Sequence, residues 1–365
     1  MRGIMRNKKQ KRRPSGCMLL LAIMLFLVAA VSGGLYAVFS YYMGKTNYVE
    51  IDPEASIEIT GEYIEETVDG TNSPQDMIDQ IEQNLSEHIS GIEENGSFSE
   101  GGNNTANSTQ EVVSDVAGVE HVLLIGSDRR SQNWNGNSDS MILITINHNT
   151  KKIILTSIMR DSYVYIAGVG NAKINAAYAK GGPALLLDTV RKNLKIHVTQ
   201  YATVDFSAFT SVINVLGTIP MTLNNDEIAY LGSQLDGLQH NGNLYYLDGD
   251  TALAYARIRY VGRWDFERTE RQRRVLTEVF NKMKHMDLGQ LNAMANAVLP
   301  YVTHNITNGQ ILSWIAQSPQ LLNYQLVSNR IPYDGMYQNA IINNMDVLAL
   351  DWNQNVAQLK KVLFE

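Results

Sequence analysis

From Val119 onward, apolar and polar positions follow two alternating patterns, and the switches between them mark out the elements. H-V-L-L-I-G-S-D, ending at Asp128, reads as a buried strand running into a turn. The apolar runs M-I-L-I-T-I and I-I-L-T-S-I flank the polar N-H-N-T-K-K, which predicts two strands joined by a tight turn. Y-A-T-V-D-F and T-I-P-M-T-L predict further strands. Helical spacing replaces strand spacing over Pro183–Leu194, with the proline early, where a helix tolerates it. It recurs over Phe206–Leu216, closed by Gly217, and over Gly249–Ala256, Asp265–Met286 and Leu288–Val298. Strands and helices mixed in this way predict an α/β domain, a central mixed β-sheet flanked by helices on both faces. The tail Ile311–Glu365 keeps enough apolar residues to belong to the same domain.

The amino-terminal third has a different texture. Arg2, Arg6, Lys8, Lys9, Lys11, Arg12 and Arg13 precede an uncharged apolar run from Cys17 to Gly44 that ends in aromatics. Roughly 20 apolar residues suffice to cross a bilayer. The expected layout is therefore a basic cytoplasmic segment over 1–16 and a transmembrane anchor over 17–43. A cleaved signal peptide is the rival reading, but its apolar core is normally only about 7–15 residues. The single cysteine, Cys17, precedes the run and leaves no internal disulfide to expect.

From Asn47 to Asp128 there is no Lys or Arg while acids are frequent, so 44–118 is expected to be an acidic, low-complexity extracellular spacer. Within it Met77, Ile78, Ile81, Leu85 and Ile89 recur at helical spacing, predicting a short amphipathic helix over Pro74–Ile92. The Asn-x-Ser/Thr triplets at Asn95, Asn103 and Asn107 are what chance produces in this composition. The main domain is expected over 119–365.

Charge adds the chemistry. The chain carries a formal net charge of -7, yet seven arginines crowd between Arg257 and Arg274 among three acids, Asp265, Glu267 and Glu270. Such a stretch repels itself unless an anion neutralises it, and the planar guanidinium fork suits phosphate oxygens. Continuing the apolar stripe Val275, Leu276, Val279, Phe280 and Met283 back by whole turns lands on Gln272, Arg271 and Arg268. Those polar groups are expected to face inward, towards an acid or a ligand. Arg273 and Arg274 fall off the stripe and are expected to be solvated. Arg257 and Arg259 flank Ile258 at or just past a helix end, where the dipole favours cations.

Asp128 ends one predicted strand and Asp139 begins another. If those strands are neighbours, the paired carboxylates call for a hard cation such as Mg²⁺ or Mn²⁺. As turn residues, the same two aspartates would be commonplace. Arg160 follows the strand I-I-L-T-S-I, at the end where ligands of open α/β sheets gather. Lys173 is a weaker candidate because a lone lysine near a helix start is usually solvated. The histidines show no metal-ligand spacing and no serine–histidine arrangement.

Taken in order, L-L-I-G-S-D-R-R, N-S-D-S, S-I-M-R-D-S-Y-V, K-I-N-A-A-Y-A-K-G-G-P, Y-A-T-V-D-F, L-D-G-D-T-A-L-A-Y-A-R-I-R-Y and D-F-E-R-T-E-R-Q resemble the LytR-CpsA-Psr family of bacterial envelope proteins over about Val119 to Phe280. The resemblance implies a phosphotransferase on the outer face of the cell membrane, in a Gram-positive-type envelope. It would move a glycopolymer, a wall teichoic acid or capsular polysaccharide, from a polyprenyl-pyrophosphate carrier to peptidoglycan and release polyprenyl phosphate. It further implies that Asp128 and Asp139 bind the metal. Arg160, Arg257, Arg259, Arg268 and Gln272 would bind pyrophosphate, with Lys173 and Arg130 as additional positions. Asp265 could take the hydroxyl proton or orient an arginine.

The second family motif usually reads Gly-Arg-Ser-Asp, whereas this chain has Gly136-Asn137-Ser138-Asp139, one guanidinium fewer. Hydrolysis of polyprenyl pyrophosphate and a non-catalytic scaffold for lipid-linked polymer are the alternatives. Nucleic-acid binding is not expected, because the basic patch lies outside the anchor and no helix-turn-helix pattern occurs.

Overall fold

The computed structural model describes residues 37–51, 57–61, 63, 67–68, 70–90, 115–127 and 138–365. The chain divides into two units, Met1–Lys45 and Thr46–Glu365. In the first, residues 37–43 are helical and the rest of the expected anchor lies outside the described residues. Among the described residues no helix is long and apolar enough to cross a membrane.

The second unit is built on strands β1 (Asn47–Tyr48), β2 (Val119–Ser127), β3 (Ser138–Asn147), β4 (Lys152–Ile158), β5 (Tyr163–Ile166), β6 (Gly170–Lys173), β7 (Gln200–Val204), β8 (Ile219–Thr222), β9 (His240–Asn241), β10 (Leu244–Leu247), β11 (Val302–His304), β12 (Gln325–Ile331), β13 (Tyr337–Ile342) and β14 (Met345–Leu350). Its helices are α1 (Gln75–Ile89), α2 (Asn175–Leu194), α3 (Phe206–Val215), α4 (Asn225–Leu231), α5 (Gly249–Ala256), α6 (Asp265–Met283), α7 (Leu288–Val298), α8 (Asn308–Leu321) and α9 (Trp352–Phe364).

Seven strands form the central sheet in the order β1-β11-β7-β2-β3-β4-β12. It is mixed: β2 pairs antiparallel with β3 and β3 with β4, while β7 runs parallel to β2 and β12 parallel to β4. The period-two alternation of side chains sorts the sheet's residues between two layers. Leu123, Ile125, Met141, Leu143 and Ile154 join the large core with residues of α1, α2 and α9. Ile142, Ile153 and Leu155 meet Leu276 and Phe280 of α6 and Leu321 of α8 in another cluster. Because both faces are covered, the strands read as nearly continuous apolar runs.

Helix α2 shows why Pro183 is harmless. The helical dihedrals break at Gly181 and Gly182, the latter with φ 62, so the proline opens a second helical segment instead of interrupting one. A separate core holds Ile213, Ile219, Met221, Leu247, Tyr255, Ile258 and Val275. Helix α6 touches all three clusters, through Phe266, Val275 and Leu276, and this tie fixes its arginines relative to the sheet.

The spacer reading does not hold for its middle section. Ile78, Ile81, Leu85 and Ile89 on α1 are buried in the large core, and β1 pairs with β11. Burying each such side chain stabilises by about 1.5–3 kcal/mol, enough to hold an acidic helix whose polar face stays in water. Overall composition concealed what the four apolar positions determined. The low-complexity residues 91–114 lie outside the described residues.

Candidate active site

The carboxyl ends of β2, β4, β7 and β12 lie along one edge of the sheet, joined there by the amino end of β3. Ligands of open α/β sheets collect at such an edge. Gly126 pairs with Ser140 and Ser127 with Ser138, so the register skips Asp139. A bulge of this kind re-aims the extra residue, here a carboxylate at the head of β3. The same pairing makes neighbours of the strand that leads into Asp128 and the strand that carries Asp139. Asp128, Arg130 and Asn137 themselves lie outside the described residues.

Arg160 stands just past β4 and links three acids. Its Nε lies 2.8 Å from Asp265 Oδ2 and 3.4 Å from Asp161 Oδ2, and its Nη1 lies 3.3 Å from Asp139 Oδ1. Arg259 approaches the same two outer carboxylates, with Nη2 3.7 Å from Asp139 Oδ1 and Nε 4.0 Å from Asp265 Oδ1. Arg268, only 4% exposed, places Nη1 3.4 Å from Asp265 Oδ1 and donates from Nη2 to the Asp139 carbonyl at 3.3 Å. Its Nε is buried and has no partner among the described residues. Gln272, one turn further on, accepts from Ser140 Oγ at 2.9 Å, and Lys173 Nζ sits 3.4 Å from Asp161 Oδ1. Among the described residues, four cations thus converge on three carboxylates.

Environment pushes the acids apart. Burial alone would raise Asp265, but the guanidiniums of Arg268, Arg160 and Arg259 outweigh it and hold the carboxyl below its ordinary value. Asp161 moves the other way: burial raises it, and Arg160 and Lys173 only partly compensate. Burial draws the Arg268 guanidinium down to about 10, against the pull of Asp265, so it remains charged at neutral pH.

Several expectations require correction. Lys173 is buried and ion-paired instead of solvated. Arg273 is buried too, donating from Nε to Ser328 Oγ at 2.6 Å, because β12 passes beside α6 there. Arg274 is half-buried, donating to the Thr222 carbonyl and lying 5.5 Å from the centre of the Tyr255 ring. Arg271 does face inward, but onto protein groups: Glu227 at 2.7 Å, Glu267 at 3.3 Å, and the carbonyls of Ile258 and Val261 at 3.2 and 3.1 Å. Helix α6 ends at Met283, three residues before the expected Met286.

Arg257 caps α5 with helical dihedrals, is exposed, and stacks 4.6 Å over Phe206. Ile258 is fully buried between it and Arg259, and the two arginines part, Arg257 to Phe206 and Arg259 to Asp139 and Asp265. Asp161 was missed. Its position directly after Arg160 was the available signal, although adjacency cannot show that burial would raise its basicity. Among the described residues no three His, Cys, Asp or Glu side chains group as a metal cage.

An arginine-rich edge ordered by half-buried aspartates, on a mixed sheet covered on both faces, defines the fold class, and the LytR_cpsA_psr family model matches residues 83–362: the chain belongs to that family. It is 32% identical over 237 residues to the regulatory protein MsrR of Staphylococcus aureus, covering 64% of this chain and 70% of MsrR. It is also 32% identical over 226 residues to the polyisoprenyl-teichoic acid–peptidoglycan teichoic acid transferase TagV of Bacillus subtilis, covering 58% of this chain and 56% of TagV. The crystal structure of Bacillus subtilis TagT superposes with a TM-score of 0.56 at 25% identity, over 69% of this chain and 94% of TagT. TagT has also been solved with bound octaprenyl pyrophosphate lipid, and that structure aligns with a TM-score of 0.53 at 25% identity, over 69% of this chain and 93% of the other.

Proposed function

We propose that this protein transfers a glycopolymer from a polyprenyl-pyrophosphate carrier to peptidoglycan. The observation that carries the reading is the convergence of Arg160, Arg259 and Arg268 on Asp139 and Asp265 at the ligand-binding edge of the sheet. Three guanidiniums held by two carboxylates, one of them with a buried donor still unpaired, form a receptor for a dianionic group. A teichoic acid transferase among the relatives and a pyrophosphate lipid bound to a structural neighbour support the same chemistry.

In this reading a peptidoglycan hydroxyl oxygen bonds to the phosphorus that carries the sugar. The pyrophosphate P–O bond breaks and its electron pair leaves with polyprenyl phosphate. Arg160, Arg259 and Arg268, with Gln272 one turn on from Arg268, stabilise charge developing on the phosphoryl and leaving oxygens. Asp265 has both oxygens facing guanidiniums and a lowered proton affinity, so its role is to orient them. Asp161, raised by burial and paired at 3.4 Å with both Arg160 and Lys173, is the remaining carboxylate of the cluster to take the hydroxyl proton. Lys173 steadies Asp161.

Asp139 fits a hard divalent ion, since Mg²⁺ commonly takes one or two carboxylates and completes its shell with water and substrate phosphates. Asp128, the residue after Ser127, would be its second ligand, and Arg130 an added phosphate donor. When bound, the metal supplies charge neutralisation across the pyrophosphate. Read as an uncleaved anchor, the run Cys17–Gly44 would leave the domain on the outer face of the membrane.

The test is to supply the purified full-length chain with lipid-pyrophosphate-linked glycan, Mg²⁺ and peptidoglycan. Covalent attachment of glycan to peptidoglycan, lost in Arg160→Ala, is the expected outcome. Release of free sugar phosphate without attachment would identify a hydrolase, and binding with no turnover would identify a scaffold.

A further inference from the structure

Between Arg259 and Asp265 the chain passes through Tyr260, Val261, Gly262, Arg263 and Trp264. Val261 is buried in the second core, but Tyr260 is 71% exposed and Trp264 64%. Their rings meet edge to face, centroids 5.5 Å apart. Trp264 also adopts φ 52 and ψ −122, a backbone conformation that residues with a Cβ rarely occupy. Strain of this kind persists only where its surroundings enforce it, and it clusters at ligand sites.

The enforcement is visible. Arg271 donates to the carbonyls of Ile258 and Val261 from below. Gly262 has φ 77, a conformation that glycine adopts without strain, and its Cα lies against the Glu267 carboxylate of α6. Arg263 pairs with Asp334 at 3.6 Å. Two large aromatic rings are therefore held in water on a braced, strained loop, and its two ends are residues of the arginine cluster.

We infer that Tyr260 and Trp264 form a platform for a pyranose ring, the sugar attached to the diphosphate. This rests on the reading of the arginine cluster as a diphosphate site. The loop joins Arg259 directly to Asp265, whose side chains approach within 4.0 Å, so a sugar one bond beyond a diphosphate held there lies within reach of the rings. Pyranose rings present apolar C–H faces to aromatic surfaces and hydroxyls at their edges. Arg263, beside Trp264 in the chain, supplies donors for such hydroxyls. A bilayer is the other environment that takes up exposed tryptophan and tyrosine. Here the two rings pack on each other, and the residue before Trp264 in the chain, Arg263, is a charged group paired with Asp334, which favours the sugar.

The experiment uses the full-length chain in detergent with two ligands, a polyprenyl diphosphate and the same lipid carrying one N-acetylhexosamine on the diphosphate. Trp264→Ala is expected to weaken binding of the sugar-bearing lipid about tenfold while leaving the sugarless lipid unchanged, and Trp264→Phe to restore most of the loss. Tyr260→Ala is expected to act in the same direction. Equal weakening for both lipids would show that the rings serve the lipid tail or the micelle, and no weakening for either would show that they bind nothing here; each result overturns the platform. Retention of sugarless-lipid affinity by Arg268→Ala would instead overturn the diphosphate reading, and the platform with it.

Discussion

Arg268 and Arg271 sit on the same helix one turn apart, are 4% and 2% exposed, and do opposite work. Around Arg271, Glu227, Glu267 and two backbone carbonyls take up the guanidinium on every side. Around Arg268 the contacts are longer, two further arginines crowd the same acids, and one buried donor has no partner among the described residues. The first region is a knot that ties α6, the start of α4 and the Arg257–Arg259 turn together. The second is a set of charges held ready for something more. A buried arginine is thus no sign of a ligand by itself; what distinguishes the two is how completely their donors are satisfied.

Breaking the knot should have the largest effect. Arg271→Ala leaves the buried Glu227 with only the Asn224 N–H and a longer contact to Arg274 at 3.8 Å, and a loss of about 3 kcal/mol in urea-unfolding stability is expected, with transfer failing only as the fold fails. The converse is Arg268→Ala, which should lower the transfer rate by roughly 10²–10³ at unchanged substrate supply. Its unfolding midpoint should stay close to that of the parent, because like-charge repulsion is relieved as the Asp265 contact is lost. If Arg268→Ala unfolds the chain and Arg271→Ala does not, the assignment of the two regions is reversed.

A pH series sharpens the contrast within the cluster. Asp265 is held below its ordinary value of 3.8, so the stability it contributes is present above that pH and lost as pH falls through the lower folded value. Asp161 is raised above the same 3.8, so it has the opposite sign: the folded chain loses stability as pH climbs from there towards the raised value. Asp265→Asn should therefore flatten the acid limb of a stability–pH curve, whereas Asp161→Asn should flatten the limb above it. Chemical denaturation at a series of pH values reads both. The smallest effect is expected at Arg257, whose contact with Phe206 is exposed. Arg257→Ala should cost about 0.5–1 kcal/mol of stability, measured as a small shift in thermal midpoint.

Much of this domain could be read directly. The strands from Val119 to Ile158 and the helices at Phe206, Gly249 and Asp265 follow from local periodicity, since one buried face leaves its spacing in the chain. Arg160 at the end of a strand and Arg268 and Gln272 on the inward stripe of α6 follow from the same reasoning. Arg273 escaped it because the stripe covers only one face, and β12, arriving from more than fifty residues away, buries a second. The docking of α1 escaped because composition averages over the very positions that pack. Asp161 escaped because a raised proton affinity depends on burial, which no neighbour in sequence reports.

Taken alone, the order of residues determined the kind of layers, the excess of guanidinium in one short stretch, and the strand ends at which charged groups would gather. All of these depend on neighbours a few positions apart. Tertiary structure alone decided which arginine is tied down and which keeps a donor unpaired, which aspartate organises and which gains basicity, and that two aromatic rings stand in water beside them. Those outcomes depend on distances between segments far apart in the chain, and on how much water folding removes from each charge.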